Sequence, residues 1–198
     1  MRKEQILFLI LILLILSNCN HDLNKSYLIN GQIKGNIHNY IYLRIDKRID
    51  SALSINNRFE FKGSVKEPLE GLLMPLNPKT DDALGLTAFM LENSNIFIKL
   101  NYYESASSRG TKIKGLEMDR ISGSKSQELL TSFNSKMENT FYKESTDSIR
   151  ELILYKNLFE FIKDNPKSVL SGKKLASLSN FYGYLNSYQM ENLFKLLD

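Results

Sequence analysis

The side chains able to carry chemistry in this chain are few. Of 198 residues, one is Cys, two are His and none is Trp. The lone thiol, Cys19, cannot close an intramolecular disulfide, form a CxxC redox pair or build a multi-thiolate zinc site. His21 and His38 have no partners at a spacing that would supply three or four convergent donors, so no metal site is expected. Serines are plentiful, but there is no Gly-x-Ser-x-Gly elbow and little His to act as base. Two carboxylate pairs remain for acid–base work, Asp81 with Asp82 and Glu67 with Glu70. Adjacent acids in a stretch rich in Pro, Asn and Lys are ordinarily solvated turn residues. No Gly-rich phosphate loop precedes a helix. No catalytic residue and no cofactor are expected.

Cys19 suits acylation instead. The chain opens Met1-Arg2-Lys3-Glu4-Gln5 and then runs from Ile6 to Leu16 without a polar residue. Two positive charges ahead of an eleven-residue apolar run read as the first two regions of a secretory signal. A membrane-spanning helix needs about 20 apolar residues, so this run is too short to cross a bilayer. Leu16-Ser17-Asn18-Cys19 resembles the bacterial lipoprotein box, in which the thiol takes a diacylglyceryl group before cleavage. Asn18 stands where Gly, Ala or Ser is usual. Two or three acyl chains anchor a protein stably where a single one does not. The expected organisation is a lipoprotein signal peptide over 1–18 and a tether over 19–26, with the membrane as partner through the lipid on Cys19. Asn20, in place of an inner-membrane Asp signal, favours the outer membrane, facing the periplasm.

The charged fraction, 24%, and the hydrophobic fraction, 42%, are those of a folded domain. The 26 basic and 22 acidic side chains are scattered, and no run of five or six like charges occurs. A nucleic-acid partner would call for a concentrated basic stripe, so none is expected.

Two periodicities divide the rest of the chain. Period-two alternation predicts strands at Tyr27–Gly35, Tyr40–Ile45, Ser51–Ile55 and Phe59–Val65, with a hairpin turn at Asn56-Asn57. Further strands are predicted at Gly71–Leu76, Leu86–Glu92 and Asn95–Asn101, and weaker ones at Thr111–Lys114 and Asp119–Ser122. The aromatics Tyr40, Tyr42, Phe59, Phe61, Phe89 and Phe97 are expected mainly in the core or in cross-strand pairs. From Ser124 the period becomes helical. Ser124 with Gln127 predicts a capping box, and Leu129, Leu130, Phe133, Met137 and Phe141 mark one face. A second helix is predicted from near Ser145, carrying Ile149, Leu152, Ile153, Leu158, Phe159 and Ile162, and ending at Asp164-Asn165-Pro166. Shorter helices are predicted at Lys167–Leu178, capped by Asn165, and at Ser187–Leu197. Tyr102-Tyr103 and Phe181-Tyr182-Gly183-Tyr184 are open to two readings, an exposed partner patch or ordinary packing. The expected fold class is α+β: an antiparallel β-sandwich or barrel-like domain over 27–123, followed by a small helical region over 124–198.

A resemblance runs through most of this span. It is carried by Gly31-Gln32-Ile33-Lys34-Gly35, Ile41-Tyr42-Leu43, Asp50-Ser51, Asn57 to Gly63 and Glu67-Pro68. Phe89-Met90-Leu91-Glu92-Asn93, Ile121-Ser122-Gly123-Ser124 and Asp164 to Ser168 continue it in order. The chain resembles the N-terminal domain of unknown function that precedes a thioredoxin-like domain in bacterial thiol:disulfide interchange lipoproteins. In those proteins the redox work belongs to the thioredoxin fold, which has no counterpart here, and no catalytic residue of theirs maps onto this chain. The resemblance implies an envelope lipoprotein acting as a non-catalytic binding or accessory module, with a thioredoxin-fold protein or an envelope ligand as partner. Two alternatives stand beside it: the N-terminal part of a thioredoxin-like oxidoreductase separated from its catalytic domain, and an enzyme of another kind using loop carboxylates.

Overall fold

Alternation in the first mature segment sets the pattern for the whole β region. β1 (Tyr27–Lys34) buries Tyr27, Ile29 and Ile33 on one face and sends Asn30, Gln32 and Lys34 to the other. The computed structural model describes residues 25–35, 37, 40–77, 84–106, 110–144, 146–182 and 185–197. Eight further strands follow: β2 (Tyr40–Ile45), β3 (Arg48–Leu53), β4 (Arg58–Gly63), β5 (Leu69–Met74), β6 (Leu84–Gly85), β7 (Thr87–Leu91), β8 (Asn95–Ala106) and β9 (Lys112–Ser122). They form two open sheets, one ordered β4-β1-β8-β9-β6 and the other β3-β2-β5-β7. Between them lies a core that includes Ile29, Ile41, Leu43, Phe59, Phe61, Phe89, Ile98 and Leu100. Fully burying one such side chain contributes roughly 1.5–3 kcal/mol.

The sandwich is the expected one, and the barrel alternative falls away because neither sheet closes. Its strands are not all antiparallel. β1 pairs with β8 in parallel, Ile29 beside Ile96 and Gln32 beside Lys99, and β6 pairs with β9 in parallel. The cause is topological. β2 and β3 build the second sheet before β4 returns to one side of β1, and β8 fills the other side after β5 and β7 have used the second sheet again. The Asn56-Asn57 turn has φ of 51° and 59° at its two residues, and Ile55 and Arg58 close it with reciprocal backbone hydrogen bonds of 2.9 and 3.0 Å. The flanking strands then diverge into different sheets. The two weak strands near residue 115 are one strand, β9, with a bulge opposite Lys99 and Leu100.

At Gly123, φ is +86°, and a Cβ would stand 2.0 Å from the Asn95 carbonyl oxygen. Only glycine fits this turn, through which β9 leads into α1 (Lys125–Asn139). A 3-10 turn (Phe141–Lys143), α2 (Asp147–Asp164), α3 (Val169–Tyr182) and α4 (Ser187–Phe194) complete the described chain. Phe133, Met137, Phe141, Leu154, Leu158, Ile162, Leu175 and Leu193 form a second core among these helices. Ile149 and Leu152, two of the apolar residues that α2 carries, are exposed at 45% and 64%. Leu152 lies two residues from Leu154 and so on the far side of a helix whose buried stripe runs Leu154, Leu158, Ile162. Asn165 caps the end of α2 rather than the start of α3: its amide donates to the Phe161 carbonyl, while the Ser168 hydroxyl accepts from Leu170 N–H.

The capping box at Ser124 is only half present. The Ser124 hydroxyl accepts from Gln127 N–H at 3.1 Å, as expected. Gln127 does not reach back to Ser124. Its Oε1 accepts the Met90 N–H at 2.8 Å, and the Ser124 hydroxyl donates to the Met90 carbonyl at 2.9 Å. β7 is the edge of its sheet, and the two side chains that open α1 occupy backbone groups that this edge would leave free. Glu92 adds to the seam, accepting from the N–H groups of Lys125 and Ser126 at the helix N-terminus.

Candidate functional site

Register brings distant cations together on the outer face of the five-stranded sheet. Gln32 on β1 pairs with Arg58 on β4 and with Lys99 on β8, and Lys99 pairs with Arg120 on β9. Arg58, Gln32, Lys99 and Arg120 therefore form one row across four strands, all exposed. With neighbouring strands about 4.8 Å apart, the backbones at Arg58 and Lys99 are about 10 Å apart and those at Lys99 and Arg120 about 5 Å. The adjacent row runs Glu60, Asn30, Phe97, Ser122. Between the rows lies an open groove of about 550 Å³, within the size range of ligand sites.

None of the three row cations has an ion pair among the described residues, whereas Lys62 on the same face pairs with Glu60 at 2.9 Å. Like charges directly opposite one another in a sheet are destabilising, and screening only softens this at an exposed face. The acids nearby confine the positive region: Glu60 is held by Lys62, Asp119 is the extra residue of the β9 bulge beside Arg120, and Glu117 lies opposite Asn101. Among the described residues the side chains of Asn30 and Gln32 are uncommitted. Phe97 is 57% exposed, a flat apolar ring among cations and amides. Gly31 lies on the buried side beneath the groove, where its missing Cβ admits the Phe59 ring.

This arrangement corrects the placing of two aromatics. Phe97 shares the parity of Lys99, not of Ile96, Ile98 and Leu100, and so faces outward. Tyr40, likewise opposite in parity to Ile41 and Leu43, is 49% exposed. Tyr102 is half-buried against the sandwich core, and its hydroxyl donates to Glu104 at 2.6 Å. Burial first, and then Glu104, push its phenol up to about 12. Tyr103 lies over Gly85 and Gly115, so the pair forms no continuous patch. Elsewhere, the Tyr27 hydroxyl accepts from Arg48 at 3.0 Å, a contact that ties one sheet to the other, and Arg48 pairs with Asp50 on its own strand at 3.2 Å. Burial raises the Tyr27 phenol, partly offset by the Arg48 charge.

Cys19, His21, His38, Asp81, Asp82, Gly183 and Tyr184 lie outside the described residues, as do the side chains of Phe181 and Tyr182. Glu67 and Glu70 are exposed, one in the loop before β5 and one within it, and neither lines the groove. Among the described residues no three His, Cys, Asp or Glu side chains cluster closely enough to hold a metal, and no helix is long and apolar enough to cross a membrane. The residues that do converge, Arg58, Lys99 and Arg120, are far apart in sequence; Phe97 alone carried a local signal, its parity with Lys99.

No curated protein and no solved structure matches the chain. A family model, that of the domain of unknown function DUF4369, matches residues 27–130, just over half of the 198. The matched span runs from the first residue of β1 into α1, and so takes in the nine strands and the seam at Met90. The chain belongs to the DUF4369 family.

Proposed function

We propose that this chain is the non-catalytic binding module of a bacterial envelope lipoprotein, related to thiol:disulfide interchange lipoproteins, and that it binds an anionic partner through the outer face of the five-stranded sheet. The carrying observation is the row Arg58, Gln32, Lys99, Arg120, three exposed cations without ion pairs among the described residues beside an exposed Phe97. Guanidinium and ammonium groups hold an anion through charge-assisted hydrogen bonds, amides add neutral ones, and the phenyl ring adds apolar contact. Lipidation at Cys19, anchoring in the outer membrane facing the periplasm, and kinship with the thioredoxin-associated lipoproteins rest on the lipobox and on the ordered motifs from Gly31 to Ser168.

Two linked measurements test the reading. Metabolic labelling with palmitate should mark the wild-type chain, and Cys19→Ala should lose both the label and the membrane fraction. A photo-reactive residue at Gln32 should crosslink to an envelope component in intact cells, and Arg58→Glu with Arg120→Glu should abolish that adduct. Adducts indifferent to the charge reversal would end the claim for this face, and unlabelled wild-type chain would end the claim for the anchor.

A further inference from the structure

We infer that the groove takes an anionic oligosaccharide, a short sugar chain bearing carboxylate or phosphate groups. The inference rests on the reading of this face as the binding face and names its ligand. The backbones that carry Arg58 and Lys99 stand about 10 Å apart with Gln32 between them, so the row suits an extended ligand with separated charges. Lys99 and Arg120, on adjacent strands, suit one anionic group between them, and Arg58 suits a second. Between these poles stand Gln32 and Asn30. Each amide offers both donors and an acceptor, which matches sugar hydroxyls better than it matches a uniform anion. Phe97 supplies the apolar surface on which the C–H face of a pyranose ring packs.

The surrounding acids argue against a broad anionic surface as occupant. Glu60, Asp119 and Glu117 share this face with the cations, so a membrane of anionic lipids laid flat on it would meet repulsion at its rim. A discrete ligand lying along the row avoids them. The row also runs across the strands, whereas an extended acidic peptide pairs along a sheet edge.

The test is titration calorimetry on the full chain in a neutral detergent. The probes are a carboxylated oligosaccharide (oligogalacturonate), a phosphorylated mannan oligosaccharide, their neutral counterparts, polyphosphate, a polyglutamate peptide and phosphatidylglycerol vesicles. One of the two anionic oligosaccharides should bind at least about tenfold more tightly than its neutral counterpart and than polyphosphate. Arg58→Gln, Arg120→Gln and Phe97→Ala, all at exposed positions, should each weaken that binding by about tenfold or more, while Lys195→Gln should not. Equal binding of polyphosphate, polyglutamate or vesicles, with Phe97→Ala without effect, would overturn the sugar assignment and leave a general anion face. Absence of binding by every probe, or binding indifferent to Arg58 and Arg120, would overturn the sugar assignment and the binding face together.

Discussion

At the free edge of β7, the N–H and C=O of Met90 each meet a side chain from α1, and the Glu92 carboxylate meets the first N–H groups of the same helix. On the outer face of the five-stranded sheet, Arg58, Lys99 and Arg120 meet no acid among the described residues, and the amides of Asn30 and Gln32 are equally uncommitted. Both places concentrate polar groups on a sheet. At the edge, unsatisfied backbone groups would cost stability and invite pairing with another chain, so the fold satisfies them internally. On the face, solvent satisfies the groups, and nothing in the fold requires a row of like charges there. The contrast separates polar groups that assemble the molecule from those left available to something outside it.

The contrast breaks most visibly at the seam. Ser124→Ala with Gln127→Leu removes a helix cap and leaves both polar groups of Met90 without their partners. We expect a loss of about 2–4 kcal/mol in urea unfolding, with anion binding by the groove unchanged within about twofold. A parallel loss of binding would mean that seam and face are coupled and the separation is wrong.

Gly31 tests whether core and groove share a floor. A Cβ at this position would stand 1.9 Å from the Phe59 ring, so Gly31→Ala forces a buried aromatic to move. Overpacking of this kind costs about 1–3 kcal/mol. Unlike the seam variant, it should also weaken anion binding, because Gly31 and Phe59, next in sequence to Gln32 and Arg58, both line the groove. Unfolding midpoint and ligand titration on the same preparation decide it; loss of stability without loss of binding would restrict the groove to its outer side chains.

Alternation placed Ile29, Ile41, Leu43 and Phe61 on inner faces, and Asn56-Asn57 announced its turn, because these are local properties of a pleated strand. Alternation fixes a face and not a neighbour. The parallel pairing of β1 with β8, which alone sets Gln32 beside Lys99, left no local trace. The cation row was invisible for the same reason: its members belong to four strands and meet only through register. Gln127 departs from the capping-box expectation because its Oε1 accepts the Met90 N–H, on a distant strand, in place of the local Ser124 N–H. Leu152 likewise keeps a helical spacing on α2 without belonging to its buried stripe, which the spacing alone does not reveal.

Charge on the face has a smaller and opposite signature. Lys99→Glu would set a carboxylate between Gln32 and Arg120 in place of a like charge. Cross-strand pairs of opposite charge contribute about 0.2–1 kcal/mol, so this variant should unfold at slightly higher urea than wild type. The same substitution should abolish anion binding. A residue whose replacement stabilises the fold and removes the ligand is retained for the ligand; a stability change of the opposite sign would mean that Lys99 has a structural partner.

The subtlest comparison lies within β8 itself, between Lys99 in the groove and Tyr102 three residues on. Tyr102 belongs with the satisfied groups: burial and then Glu104 hold its phenol up to about 12, against an ordinary value of 10.0. The folded state thus keeps this proton where the unfolded chain gives it up. The resulting stability is fully present below about pH 10 and is lost as pH rises from there through about 12. Tyrosinate absorbance of the folded chain should show a late phase, to which the buried Tyr27 also contributes, and Tyr102→Phe should remove the Tyr102 step from it. Glu104→Gln should move that step toward lower pH, since both the hydrogen bond and the charge of Glu104 act to raise it. If Glu104→Gln leaves the step in place, burial alone sets the Tyr102 proton. The 2.6 Å contact would then be a surface pairing, and the division between satisfied and available polar groups would have to be drawn on β8 by burial rather than by partners.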